Sequence, residues 1–262
     1  MTAQITARDW VELGAEPQSV WLVEINHTAK RNAMTRQMWK QLRSVFEQLQ
    51  HNREVRCIVV QGAGEAFCAG GDISEYPDFR FEQPSLASFH ENEVWAGLNA
   101  ILACDIPVVA HIHGACMGAG VEIASCCDVR LSTTDAKFGA PIAKLGFPMA
   151  PKELHLVARS VGLHTAQRML LEAAVFSAQE LAAQGWCAQP LALQESLAQV
   201  YRTALQIASL APQAARLNKR TLRALIAGET VQNPYAYASG LEHREGIMAF
   251  LEKREPHFQR TE

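Results

Sequence analysis

Two glycine-rich segments and one carboxylate are the groups in this chain best suited to chemistry. The first segment is Gly62-Ala63-Gly64-Glu65-Ala66-Phe67-Cys68-Ala69-Gly70-Gly71-Asp72, after the apolar run Cys57-Ile58-Val59-Val60. The second is His113-Gly114-Ala115-Cys116-Met117-Gly118-Ala119-Gly120-Val121-Glu122, after Val108-Val109-Ala110. Small residues in such turns let the backbone approach a ligand closely and leave N–H groups free to point at one oxygen. Two such turns can clamp one developing negative charge. The Ala69 N–H is a candidate donor from the first turn, and the helix start at Gly118-Ala119-Gly120 offers the other. Each donor of this kind is typically worth about 3 kcal/mol in a transition state. A plain strand-to-helix connection is the competing reading.

Glu122 sits just inside a helix among apolar and small neighbours. Carboxylates are seldom fully buried without a partner, and desolvation raises their pKa toward the range useful for general acid/base work. A Glu near a helix N-terminus is also favoured by the macrodipole alone. The free N–H groups of the preceding glycine segment tilt the choice toward chemistry. His111 and His113 share one face of a predicted strand but have no third ligand in register, so no metal site is expected.

The elements that must hold these groups alternate short apolar runs with helical patterns, the mark of an α/β fold. Strands are predicted at Val20–Ile25, Cys57–Val60, Val108–Ile112 and Val129–Ser132. Thr35 can cap a helix whose stripe is Met38, Leu42, Val45, Phe46 and Leu49. One helix is predicted over Leu86–Leu102, a mobile polar-aromatic loop over Ile73–Ser85, and a helix over Gly118–Cys126, with Cys126 and Cys127 adjacent on it. Beyond Pro148 strand signals disappear. Helices follow at Leu154–Ser160, Thr165–Leu171, after the capping box Ser177-Ala178-Gln179-Glu180, and at Leu193–Ala211, Pro212–Ala227 and Leu241–Lys253.

At 262 residues, 48% hydrophobic, the chain is long enough to bury a sizeable core. A formal net charge of -3 argues against a nucleic-acid or anionic-membrane partner. Neither a secretory leader within Met1 to Trp10 nor an apolar run long enough to span a membrane is read, and seven scattered cysteines suit reduced core thiols. Cytoplasmic localisation is the expectation.

Five ordered segments carry a family resemblance: Ala29-Lys30-Arg31-Asn32-Ala33-Met34, Ala66 to Ile73, Gly114 to Glu122, Cys127-Asp128-Val129-Arg130 and Phe138-Gly139-Ala140-Pro141. Together they resemble the enoyl-CoA hydratase/isomerase (crotonase) superfamily, over about Val20 to Pro190 and more weakly over Gly246 to Arg254. The resemblance implies a spiral of ββα units over residues 1–195. It also implies a C-terminal helical region, residues 196–262, that packs at the interface of a homotrimer or dimer of trimers. It implies an acyl-CoA thioester as partner and no cofactor beyond the CoA of the substrate. It assigns the oxyanion hole to the N–H groups of Ala69 and Ala119, and the acid/base to Glu122. Lys30, Arg31 and Ala33 match the segment along the CoA nucleotide. It further implies Ala69, Gly70, Gly71, Asp72, Ile73, Pro141, Ile142 and Leu145 as residues that bind the acyl-CoA. Phe250 and Lys253 match residues that reach the CoA of an adjacent subunit.

One departure matters. Hydratases of the family use two glutamates, and the second belongs where this chain has Ile142; the position used by a subset of isomerases is Met149. Losing one member of an acid/base pair typically removes about 10²–10⁴ in rate, so efficient two-glutamate hydration is not expected. Glu122 alone can still shuttle a proton between carbons in an isomerase or an atypical single-glutamate reaction. Another group can be recruited from Asp72, Glu75, Tyr76, His90, Glu91, Glu93 or Lys144. The alternative is a non-catalytic acyl-CoA binding protein. Serine-type hydrolysis lacks its G-x-S-x-G elbow. Ile142, Phe147 and Met149 lead to the expectation of an alkyl or aromatic acyl group over a carboxylated one.

Overall fold

The computed structural model describes residues 2–10 and 19–258. Met1, residues 11–18 and residues 259–262 fall outside the described residues. In chain order the elements are β1 (Gln4–Asp9), β2 (Val20–Asn26), α1 (Arg36–His51), β3 (Cys57–Gly62), α2 (Gln83–Phe89), α3 (Trp95–Ala103), β4 (Val108–Ile112), β5 (Ala115–Met117), α4 (Ala119–Cys126), β6 (Val129–Ser132) and β7 (Lys137–Gly139). Then come α5 (Pro151–Val161), α6 (Leu163–Leu171), β8 (Val175–Ser177), α7 (Ala178–Ala183), α8 (Leu193–Ser209), α9 (Pro212–Ala227) and α10 (Leu241–Glu252).

The strands form a five-stranded sheet in the order β1-β2-β3-β4-β6 and a three-stranded sheet in the order β5-β7-β8. Successive turns of chain leave one strand in each sheet and then a helix: β4, β5 and α4, followed by β6, β7 and α5. The turn after β3 repeats this with a single bridge, Cys68 to Cys116, in place of a full strand. This is the expected spiral. From β2 to β6 the large sheet is parallel and covered on both faces, which is why Cys57 to Val60 is uniformly apolar. One face packs on α1, α3 and α4; α8 covers the other with Val200, Ala204 and Ala208.

That covering helix runs across the predicted boundary at residues 195 and 196, because its apolar stripe belongs to the sheet. The helix after it, α9, is docked by cations: Arg216, Lys219 and Arg223 donate to carbonyls of Asn52, Val55, Ile106, Leu102 and Ala103, while Arg220 and Arg223 hold Asp105. Leu102 and Ala103 are the last residues of α3 and Asn52 caps α1, positions whose carbonyls lack intrahelical partners.

Four local expectations need correction. A strand does exist beyond Pro148: β8 pairs with β7, a three-residue element too short to show alternation. The helix expected over Leu86–Leu102 is α2 and α3 joined by one π-helical turn, His90–Val94. The segment Ile73–Asp78 forms a 3₁₀ helix whose Tyr76 and Phe79 pack on each other and on Phe89, so it is built in rather than loose. Cys127 is the extended residue that ends α4, not a helical neighbour of Cys126. All seven cysteines are buried and free, as expected. Among the described residues no helix is long and apolar enough to cross a membrane, and no cluster of three metal-ligating side chains occurs.

Candidate active site

The two glycine turns meet. Gly118, at φ 48°, turns the chain into α4 so tightly that a Cβ on it would stand 3.7 Å from the Cα of Gly70. Both turns line one cavity of about 340 Å³, through Ala69, Gly70 and Gly71 on one side and Gly118, Ala119 and Glu122 on the other. Asn32 fixes the first turn. Fully buried, its side chain accepts from the His27 N–H and donates to the carbonyls of Ala63 and Ala66.

The amides of the two turns are not equivalent. At the start of α4 the Glu122 N–H is bonded to the Gly118 carbonyl, whereas among the described residues the Ala119 N–H has no backbone acceptor, as the first position of a helix dictates. In the first turn the Ala69 N–H donates to the Arg31 carbonyl at 3.0 Å. The expectation of Ala69 as an oxyanion donor is therefore wrong: its donor is spent holding the turn to the 28–34 segment. The Met34 N–H bonds to the Gly70 carbonyl and the Asp72 N–H to the Met34 carbonyl. In such a parallel bridge Gly71 turns its own N–H to the opposite side, and no backbone acceptor among the described residues takes it. A Cβ on Gly71 would stand 2.1 Å from the Tyr76 hydroxyl, so any side chain there displaces that ring.

Glu122 is buried, and burial pushes its carboxyl well above the usual carboxylate range; the charge of Glu153 pushes the same way. Glu153 lines the same cavity and is itself buried, with His90 Nδ1 2.8 Å from its Oε1. Tyr76 adds a hydroxyl. Burial, with the charges of Glu122 and Glu153, raises its pKa to about 12 against the pull of Arg80. Arg80 stacks over the rings of Phe147 at 4.0 Å and Tyr76 at 4.5 Å, and its guanidinium pairs with no carboxylate among the described residues.

The remaining predicted residues divide. Ile73, Pro141, Ile142, Leu145, Phe147 and Met149 do line the cavity, and so does Lys144. Asp72 does not: it is the N-cap of the 3₁₀ helix, bonded to Lys30 Nζ at 2.8 Å and to Ser74. Burial opposes the charge of Asp72, but Lys30 and Ser74 outweigh it and hold the carboxyl below its usual range. Lys30, Arg31 and Ala33 do not line the cavity, and the Lys30 ammonium pairs with Asp72. Phe250 (83% exposed) and Lys253 lie on the surface of this single chain. His111 and His113 do share a face, with ring centroids 5.7 Å apart; burial lowers His111 to about 4.

Glu153 and Arg80 were not singled out from sequence. A signal for Glu153 exists: with Leu156, Val157 and Val161 it falls at i, i+3, i+4 and i+8, on the apolar stripe of α5, and these are the residues that α5 buries.

Comparisons agree with this architecture. A family model described as Enoyl-CoA hydratase/isomerase matches residues 15–261. The chain belongs to the enoyl-CoA hydratase/isomerase family. Among solved structures, an enoyl-CoA hydratase/carnithine racemase from Magnetospirillum magneticum superposes with a TM-score of 0.89 at 32% identity, covering 94% of each chain. Among family members, the 2,3-dehydroadipyl-CoA hydratase of Escherichia coli is 30% identical over 92% of this chain and 96% of its own length. The mitochondrial methylglutaconyl-CoA hydratase of Mus musculus is 27% identical over 94% of this chain and 82% of its own.

Proposed function

We propose that the chain is an enolate-forming acyl-CoA enzyme of the hydratase/isomerase group. The thioester carbonyl sits between the amides of Gly71 and Ala119, and Glu122 moves the proton at the adjoining carbon. The observation that carries this reading is a buried carboxyl of raised pKa in the same cavity as two unspent amides. A buried carboxylate without a task costs stability, which counts against a binding protein that has lost its chemistry. Water addition and double-bond migration are both redox-neutral, so CoA enters only as part of the substrate. The basic segment at Lys30 and Arg31 flanks the CoA phosphates, and the apolar surface of α10, including Phe250 and Leu251, is covered by neighbouring copies in a trimer or dimer of trimers.

The test is Glu122→Gln assayed on a panel of unsaturated acyl-CoA esters. Turnover falls by about 10²–10⁴ while ester affinity stays within a few-fold; unchanged turnover rejects Glu122 as the acid/base.

The acyl group is carboxylated, a reading that Arg80 favours against the expectation from Ile142, Phe147 and Met149. Two family members above are named for acyl groups ending in a second carboxylate, and Arg80 offers an unpaired, planar cation on an aromatic floor within the cavity. Glutaconyl-CoA then outcompetes crotonyl-CoA, and Arg80→Met removes that preference. Equal affinities for the two esters restore the apolar reading.

A further inference from the structure

From the side-chain arrangement of the cavity we infer that Glu153, delivered by the first turn of α5 and held by His90, is the second catalytic carboxylate that Ile142 cannot be. This rests on the enolate reading above and assigns the reaction as water addition to an enoyl thioester.

Three observations support it. Glu153 is 3% exposed and lines the same cavity as Glu122, from the helix packed against α4. Its Oε1 is gripped by His90 Nδ1 at 2.8 Å, which leaves Oε2 without a protein partner among the described residues. His90 is placed by an irregularity: it opens the π turn between α2 and α3, and π turns of this kind gather at functional sites. A buried carboxylate serving only structure would have both oxygens bonded. Here one is bonded, the other has no partner among the described residues, and the side chain lines the cavity.

The pair fits the proton balance of hydration. Water loses a proton to one carboxylate as its oxygen bonds to C3. The C2=C3 electron pair moves into the thioester carbonyl, forming the enolate. The other group, a carboxylic acid, then gives its proton to C2 as the carbonyl reforms. One carboxyl must begin ionised and the other protonated. Two carboxyls held in different surroundings, one gripped by an imidazole and one with no such partner among the described residues, can divide these roles. Glu122, whose carboxyl has no hydrogen-bonding partner among the described residues and is raised by burial, is the proton holder, and the charge on Glu153 reinforces this. Glu153, oriented by His90, accepts the proton of water. His90 is a positioning residue, because it acts through Glu153.

The two roles separate experimentally. Hydration is followed with crotonyl-CoA, and exchange of the C2 protons with D₂O is followed on butyryl-CoA, which needs the enolate but no attacking water. Glu153→Gln lowers hydration kcat by about 10²–10⁴ with KM within a few-fold, while C2 exchange persists. Glu122→Gln loses both. His90→Ala lowers hydration, and His90→Asn, whose amide N–H takes the place of Nδ1–H, recovers most of it. Hydration retained in Glu153→Gln overturns the inference, as does loss of exchange together with hydration. A wild-type enzyme that binds butyryl-CoA without exchanging C2 protons overturns the enolate reading itself, and this inference with it.

Discussion

Helices α4 and α5 pack on each other, and each brings a glutamate from near its N-terminus to the same cavity, but they are built on opposite plans. All eight residues of α4 are buried. It opens on Ala119, so its first amide is available, and a carboxylate anywhere along it is an exception. Helix α5 opens on Pro151, which has no amide to give, and it is amphipathic, with Lys152 and Leu154 outward and Glu153, Leu156, Val157 and Val161 inward. The first wall can polarise a carbonyl and move a proton. The second can only handle a proton. A glutamate is conspicuous when its helix has no wet face and inconspicuous when it has one.

Giving α4 the start of α5 tests this contrast most severely. Proline is accommodated at a first helical position, so Ala119→Pro deletes one amide and little else. Turnover falls by about 10²–10³ at unchanged melting temperature, whereas Pro151→Ala leaves turnover where it was; equal effects would remove the asymmetry. The next largest effect is expected at the other amide. Gly71→Ala drives a Cβ against the Tyr76 hydroxyl, displacing a flexible ring and misplacing the thioester, at a cost of up to ~10² in turnover. The double variant Gly71→Ala/Tyr76→Phe recovers part of that loss, which steady-state kinetics of both variants will read.

Stability against pH gives the smallest and most quantitative comparison. Because the Glu122 pKa is raised in the folded state, folding takes up a proton there. The stability that Glu122 supports is complete below the ordinary glutamate pKa and is lost as pH rises through the raised one. Within that window the slope approaches about −1.4 kcal/mol per pH unit. Chemical denaturation of Glu122→Gln across pH 4 to 9 therefore shows a stability gain over wild type that grows with pH. Glu153→Gln narrows the window by removing a like charge. A gain independent of pH in Glu122→Gln would mean that packing, not ionisation, sets its effect.

The spiral was legible because its glycine turns and parallel strands leave strong local marks. Thr35 caps α1 as its sequence says, accepting from the Met38 N–H, and Ser177 and Glu180 form the capping box read from their spacing. Three-residue strands such as β5, β7 and β8 were invisible, since their conformation is imposed by neighbours. Glu122 and Ala119 line the cavity, and the turn that precedes them in sequence is what drew them into the expected site. Ala69 was misread because the choice between neighbouring amides depends on the Arg31 carbonyl, a partner 38 positions earlier in the chain. Glu153 was hidden by its company: a charged residue beside Lys152 in a first turn fits a solvated helix start, and only the phase of α5 marks it as inward. Arg80 owes its place to Tyr76 and Phe147, residues with nothing local in common.

The π turn at His90–Val94 has a consequence for how such a site can arise or vanish. A π turn is an α-helix carrying one residue too many. Deleting a single residue between Glu91 and Val94 would relax it into regular helix and swing the imidazole by roughly 100° about the axis, away from its carboxylate, with the downstream helix undisturbed. One codon thus separates a chain that holds this second glutamate in place from a relative that leaves it loose.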